Sequence, residues 1–366
     1  MKKRLITYLA LFTYIVFGIG FSTTAFADES NKTADQQAAE LGLGFTYKVV
    51  KPENQRSSVG YFDLRMNAGQ KQTVEIELAN GSDEEITIGV SLNGAKTNGN
   101  GVIEYGPSAI EKDKSLKYDF VDIVTGPKEV VLPPKTMIPL KLEIAMPASD
   151  IDGVISGGIQ LKQQTKEEKD EKEKTGITNE YAYLVGMLLS ENDTVVTPNL
   201  ELNKVYAGLA NYRNAVFVNF SNVQPAYLEN MTVDVQIMKK GSEEVLYDTK
   251  KAGMRMAPNS LIDFPVEMNG DRMEAGDYKA HILVTADDKK WEWTEEFTIT
   301  DEEADKFNGQ DVSLTQERGI DWKLIAMIVG GIIAVVVIIF FIVRSVQQKK
   351  MKNRKKKGNR KKTAAK

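Results

Sequence analysis

The chain has 366 residues, of which 51 are acidic and 47 basic, with one histidine and no cysteine. Without cysteine there are no disulfides, thiol nucleophiles or thiolate metal sites, and a lone histidine cannot make a His-based metal centre. The net charge of −4 is an average over very unequal parts: every acidic residue lies between Asp28 and Asp321. Three basic residues precede that span, Lys323 follows it, and twelve more lie in 344–366. The central part therefore holds 31 basic against 51 acidic residues, a difference of −20. Such a segment is soluble and is repelled by nucleic acids and teichoic acids.

Lys2, Lys3 and Arg4 precede an apolar stretch from Leu5 to about Phe21, and Ala25-Phe26-Ala27 has the small-x-small form of a cleavage site. Residues 1–27 read as a secretory signal peptide. A polar stretch, Asp28 to Gly42, leads into a segment that is β in character throughout. Gly44–Val50, Ser58–Met66, Gln72–Ala79, Ile86–Leu92, Tyr118–Val124, Lys128–Leu132, Met137–Met146, Val154–Leu161 and Tyr181–Leu189 are short β-rich runs divided by turn residues. Thr73–Leu78 alternates as a strand with one wet face should. Residues 43–190 are expected to form an immunoglobulin-like antiparallel sandwich. The nine charges of Lys166–Lys174 are expected to be solvated, in a hairpin loop over 165–176. Gly157-Gly158, within a strand, points to close backbone packing.

Residues 191–303 read as a second sandwich. Its seven strands are Leu200–Tyr206, Ala215–Phe220, Thr232–Met238, Glu244–Asp248, Leu261–Met268, Tyr278–Thr285 and Trp291–Thr300. Residues 304–321, acidic and poor in core residues, read as a stalk. Leu324–Val343 carries no charge, and a helix of that length spans about 30 Å, so 322–343 is expected to cross a membrane. The basic residues of 344–366 place that tail in the cytoplasm against anionic headgroups, and the rest outside the cell. The fold expectation is thus an all-β ectodomain of two tandem sandwiches followed by one transmembrane helix. With no sortase-type signal and no lipidation cysteine, that helix is the anchor, and the combination suggests a Gram-positive surface.

Little here supports catalysis. His281 sits mid-strand without a nucleophile motif. Asp83-Glu84-Glu85, Asp150-Ile151-Asp152 and Asp287-Asp288 lack the spacing of a calcium loop and read as turns. No cofactor or metal is expected, and no carboxylate pair stands out for glycan hydrolysis. Binding by loops on a rigid β scaffold is the natural remaining task. The best candidate is Ala95–Tyr105, where Thr97, Asn98, Asn100 and Tyr105 offer amides, hydroxyls and an aromatic face for a glycan. The plainer reading is a turn-rich loop whose Asn and Gly satisfy left-handed geometry.

Several motifs resemble the WxL-interacting proteins of Gram-positive bacteria. Tyr61–Leu64, Ala68–Gln70, Ala79–Ser82, Thr97-Asn98 with Gly101 and Tyr105, Met146-Pro147, and Asp152-Gly153 with Gly157-Gly158 are similar to that family's peptidoglycan-binding domain. Met256–Ser260, Ala275–Tyr278 and Trp291 with Phe297–Ile299 are similar to its host-binding domain. The resemblance implies a membrane-anchored partner of WxL-domain surface proteins that contacts peptidoglycan and a host surface protein. An extracytoplasmic chaperone that supplies or covers a strand edge of a secreted partner is the second reading. A glycan-active enzyme would instead need an indispensable carboxylate. A tail of this length is too short for a signalling output domain.

Overall fold

The computed structural model describes residues 44–164, 181–314, 325–333 and 335–344. The signal-peptide reading, the charged loop 165–176, and the tail after Arg344 lie outside the described residues.

The first unit begins with β1 (Phe45–Val50), β2 (Phe62–Arg65), β3 (Lys71–Asn80) and β4 (Ile86–Gly94). A small β5–β6 ladder (Lys96–Thr97 with Ile103–Glu104) and a short helix, α1 (Phe120–Ile123), follow. Next come β7 (Val124–Thr125), β8 (Glu129–Leu132), β9 (Met137–Ala145), β10 (Ile155–Gln164) and β11 (Ala182–Ser190). One sheet has the order β1-β3-β9-β7 and the other β2-β11-β10-β4-β8. The alternation expected of Thr73–Leu78 turns Val74, Ile76 and Leu78 inward, opposite Leu142, Leu140 and Ile138 of β9 respectively. Phe45, Phe62, Leu64, Ile88 and Leu161 complete one core shared by both sheets.

Two local expectations are corrected. Tyr118–Val124 is not a strand, because Asp119 caps a helical turn: its carboxylate accepts the Val121 N–H, so the chain closes into α1 before joining the sheet as β7. The unit is also not wholly antiparallel, since β2 runs parallel to β11, with Phe62 opposite Met187 and Leu64 opposite Leu189.

The second unit comprises β12 (Leu200–Ala210), β13 (Arg213–Asn222), β14 (Leu228–Lys239), β15 (Val245–Met256), β16 (Ser260–Glu267), β17 (Gly276–Ala286) and β18 (Lys289–Ile299). Its sheets are β12-β13-β16 and β15-β14-β17-β18, and all their pairings are antiparallel. All seven expected strands are present, most of them longer than their apolar centres. Phe220 and Phe264 are fully buried among Val218, Val233, Ile237 and Ile282. Each buried phenyl ring contributes roughly 1.5–3 kcal/mol of transfer free energy.

The stalk reading is corrected for its first part. Asp301–Gln310 is a helix, α2, opened by a capping box between Thr300 and Glu303. It joins the second unit through Ala304, buried in that core, through Phe307 packed against it, and through a polar network. The Asn308 amide is buried; its oxygen accepts from Asn214 Nδ2 (2.8 Å) and the Met273 N–H (2.7 Å), and its nitrogen donates to the Met273 carbonyl (2.8 Å). Asp311 Oδ2 accepts the Asn214 N–H at 2.7 Å. Its carboxyl is held below the usual range by bonds from Ser313 and Asn214 that outweigh its desolvation. A further helix, α3, covers Ile325–Arg344, and its apolar side chains face outward.

Asn308→Ala in residues 28–320 should lower unfolding free energy by about 1–3 kcal/mol, because it strands buried partners on Asn214 and Met273. Chemical denaturation measures this, and an unchanged midpoint would mean that α2 is not held by that network.

Candidate functional site

The loop singled out from sequence lies at the junction of the two units. Thr97 is 1% exposed, its hydroxyl 2.7 Å from that of Ser260 and accepting the Ala257 N–H at 3.0 Å. Its expected role as an open ligand contact is therefore corrected: the hydroxyl faces the second unit and is fully engaged there. Asn98 follows the plainer reading. Its carbonyl oxygen accepts the N–H groups of Asn100 and Val102 (3.0 and 3.1 Å), and its amide donates to Glu104 (2.8 Å). The Asn100 side chain accepts from Lys251 Nζ at 2.7 Å, across the junction. The Tyr105 hydroxyl lies 3.0 Å from that of Tyr227, which also bonds Ser156. Burial, with Tyr105 as a lesser cause, raises the Tyr227 pKa well above the usual phenol value.

The glycines allow close approach, but the surface approached is the second unit. A Cβ on Gly99 would lie 2.6 Å from the Asp263 carbonyl oxygen, and one on Gly101 would lie 2.5 Å from Met254 Cβ. At Gly153, with φ +85°, an added Cβ would collide with the Pro225 carbonyl, and Val154 N–H donates to that same carbonyl at 2.8 Å. The Gly157-Gly158 reading holds: a Cβ on Gly157 would strike the Phe120 ring, and one on Gly158 would come within 2.6 Å of Tyr105. A strap at 107–119 closes the junction. The buried Asp113 accepts the Ser221 hydroxyl, and Asn259 Nδ2 donates to the carbonyl and hydroxyl of Ser115 (3.2 and 3.1 Å).

Beside this contact is a cleft of about 360 Å³. Lys117, Tyr118, Phe120, Asp150–Asp152 and Ser156 wall it from the first unit, and Val223, Pro225, Pro258 and Asn259 from the second. Lys117 Nζ stands 4.8 Å from the Tyr118 ring centroid. The Tyr118 hydroxyl is 2.5 Å from that of Ser149, and this bond, aided by Lys117, lowers its pKa. A smaller recess of about 150 Å³ lies across the strap and shares Asp119 and Asn259. Asp119 pairs there with Lys112 at 2.5 Å, which raises the lysine pKa. An aromatic face, an ammonium, carboxylates and hydroxyls around one cleft suit a ligand that carries both sugar hydroxyls and peptide groups. Sequence reasoning missed this cleft because its walls come from five separate stretches and no single stretch signals it.

The inventory offers no second centre. Among the described residues no group of three or more His, Cys, Asp or Glu is placed to hold a metal. His281 Nε2 lies 2.9 Å from Glu292 on the surface of the β17–β18 pair.

Two β units locked across a polar junction, with a mixed-chemistry cleft along it, define a two-domain binding protein. Residues 45–163 match the family model of the WxL Interacting Protein peptidoglycan binding domain, and residues 172–309 match that of its host binding domain. The chain belongs to the WxL-interacting protein family. No curated protein matches it. Among solved structures it is similar to the YadV chaperone, with 12% identity, TM-score 0.27, and coverage of 70% of this chain and 100% of that one. It is also similar to the CsuC–CsuE pre-assembly complex of Acinetobacter baumannii, with 10% identity, TM-score 0.28, and coverage of 64% and 94%. The CupB2 chaperone of Pseudomonas aeruginosa matches with 11% identity, TM-score 0.23, and coverage of 64% and 97%. At these scores the likenesses carry no functional weight.

Gly153→Val should weaken the junction by about 1–3 kcal/mol, since it places a β-branched side chain at positive φ against Pro225. Small-angle scattering of residues 28–320 should then show a larger radius of gyration with unchanged circular dichroism. An unchanged radius would mean the contact does not fix the units.

The connection between the units also titrates. Asp193 is bonded by Arg65, and by Arg56 at 3.0 Å, and Arg65 foremost lowers its pKa from 3.8. A depressed carboxyl stabilises above its unfolded value and loses that contribution as pH falls through its folded value. Proteolysis at 191–199 should therefore be slow at pH 5 and above and should speed up only as pH falls below 3.8, toward the lowered value at which Asp193 protonates in the folded protein. A rate that is flat across that range would exclude the clamp.

Proposed function

We propose that this chain is a membrane-anchored, non-catalytic binding protein of the Gram-positive cell surface. Its units are read as immunoglobulin-like sandwiches. The first contacts peptidoglycan at the junction cleft, and together the units hold WxL-domain proteins at the wall, with the second available to a host surface protein. Helix α3 anchors the chain across the membrane, with a signal peptide removed at the start and the basic tail inside. The observation that carries this reading is the ordered pair of family matches, peptidoglycan-binding then host-binding, over 45–309.

The cleft replaces the Thr97–Tyr105 loop as the proposed glycan contact. Tyr118 offers a ring for a pyranose, while Lys117 and the exposed Asp150 complement the charged ends of a stem peptide. A difference of −20 leaves the ectodomain little general attraction for an anionic wall.

Residues 28–320 should co-sediment with teichoic-acid-free peptidoglycan sacculi, and binding should survive high salt, because hydrogen bonding and stacking are screened less than long-range charge. Tyr118→Ala should weaken binding about tenfold, equivalent to ~1.4 kcal/mol. Absence of binding at every salt concentration would overturn the direct wall contact and leave wall association to the WxL partner.

A further inference from the structure

The two-residue turn between β12 and β13 is Asn211-Tyr212, with φ +50° and +60°. This is the geometry of a type I′ hairpin, whose second position favours glycine. Here a tyrosine occupies it, in a region costly for a bulky side chain, and the residue is 72% exposed. Val312 is 69% exposed, and its N–H donates to the Tyr212 carbonyl at 3.0 Å. The chain thus leaves the second unit at this hairpin tip, since Asp311 and Ser313 are also tied down there. Only ten residues, 315–324, separate this exit from Ile325, where α3 begins. Even fully extended, the stretch from Leu314 to Ile325 reaches no more than about 40 Å. Arg213 and Arg272, both exposed, stand beside the tip in a segment that is otherwise strongly acidic. Asp271, also nearby, takes a bond from Tyr247.

We propose that the Asn211-Tyr212 tip, with Val312, rests on the outer face of the lipid bilayer that α3 enters. The inference relies on the reading of α3 as a membrane span. Tyrosine suits the membrane interface because its ring is apolar and its hydroxyl is wet. Arg213 and Arg272 meet anionic headgroups. The short tether holds the tip at high effective concentration near the surface, so a small apolar contact suffices. The second unit then stands with its β12–β13 end toward the membrane, and the junction cleft is held on the first unit's side.

The absence of cysteine allows single labels. Full-length protein carrying an environment-sensitive fluorophore at Val312→Cys is reconstituted into vesicles of phosphatidylcholine and phosphatidylglycerol with nitroxide-labelled lipid. Val337→Cys in α3 and the exposed Val195→Cys serve as inner and outer references. The expected result is blue-shifted, lipid-quenched emission at 312, intermediate between the two references. Tyr212→Gly should abolish that quenching while raising the melting temperature, because glycine relieves the left-handed backbone. Quenching at 337 with none at 312 would overturn the surface contact and leave the anchor reading intact. No quenching at 337 would overturn both.

Discussion

The constraint on which the rest depends is the approach of two backbones where the first unit meets the second. Pro225 and Asp263 present carbonyl oxygens where only a residue without Cβ can stand, and Gly153 and Gly99 occupy those places. Thr97 and Ser260, then Asp113 and Ser221, can bond only at that separation. Each hydroxyl is buried, so each would be costly if the units parted. The contact is polar and specific rather than a general apolar patch. It therefore selects one arrangement of the units among many of similar buried area, and the cleft exists only in that arrangement.

Several of the motifs that carry the family resemblance gather here. Thr97, Gly101, Tyr105, Gly153 and Gly158 come from the first unit, and Met256–Ser260 from the second. Read along the chain, they look like ligand-binding loops. In space, they are largely the means by which one unit recognises the other. Asn259 illustrates this: a left-handed turn aims its amide at Ser115 of the strap and at the Val223 carbonyl.

Much of the fold was legible because strands advertise themselves through local alternation. Thr73–Leu78 and all seven strands of the second unit follow from side chains two apart in sequence. The errors arose where a polar side chain decides the backbone. Asp119 closes a turn inside an otherwise strand-like run, and Asn308 with Asp311 fixes a helix whose composition reads as a tether. The cleft was illegible for a further reason: Tyr118, Ile151, Pro225 and Asn259 have no sequence relation to one another. The parallel β2–β11 pair was likewise hidden, because the two strands lie more than a hundred residues apart.

The α2 clamp has a mechanical consequence. A pull applied at residue 314 would, without the helix, arrive at the end of β18, an edge strand whose hydrogen bonds to β17 could open one after another like a zip. Instead, Asp311 and Asn308 hand the force to Asn214, in β13, the middle strand of its sheet. β13 is bonded on both sides, to β12 and β16, so the load is shared by two ladders at once. A surface protein built this way resists being unravelled from its membrane-facing end.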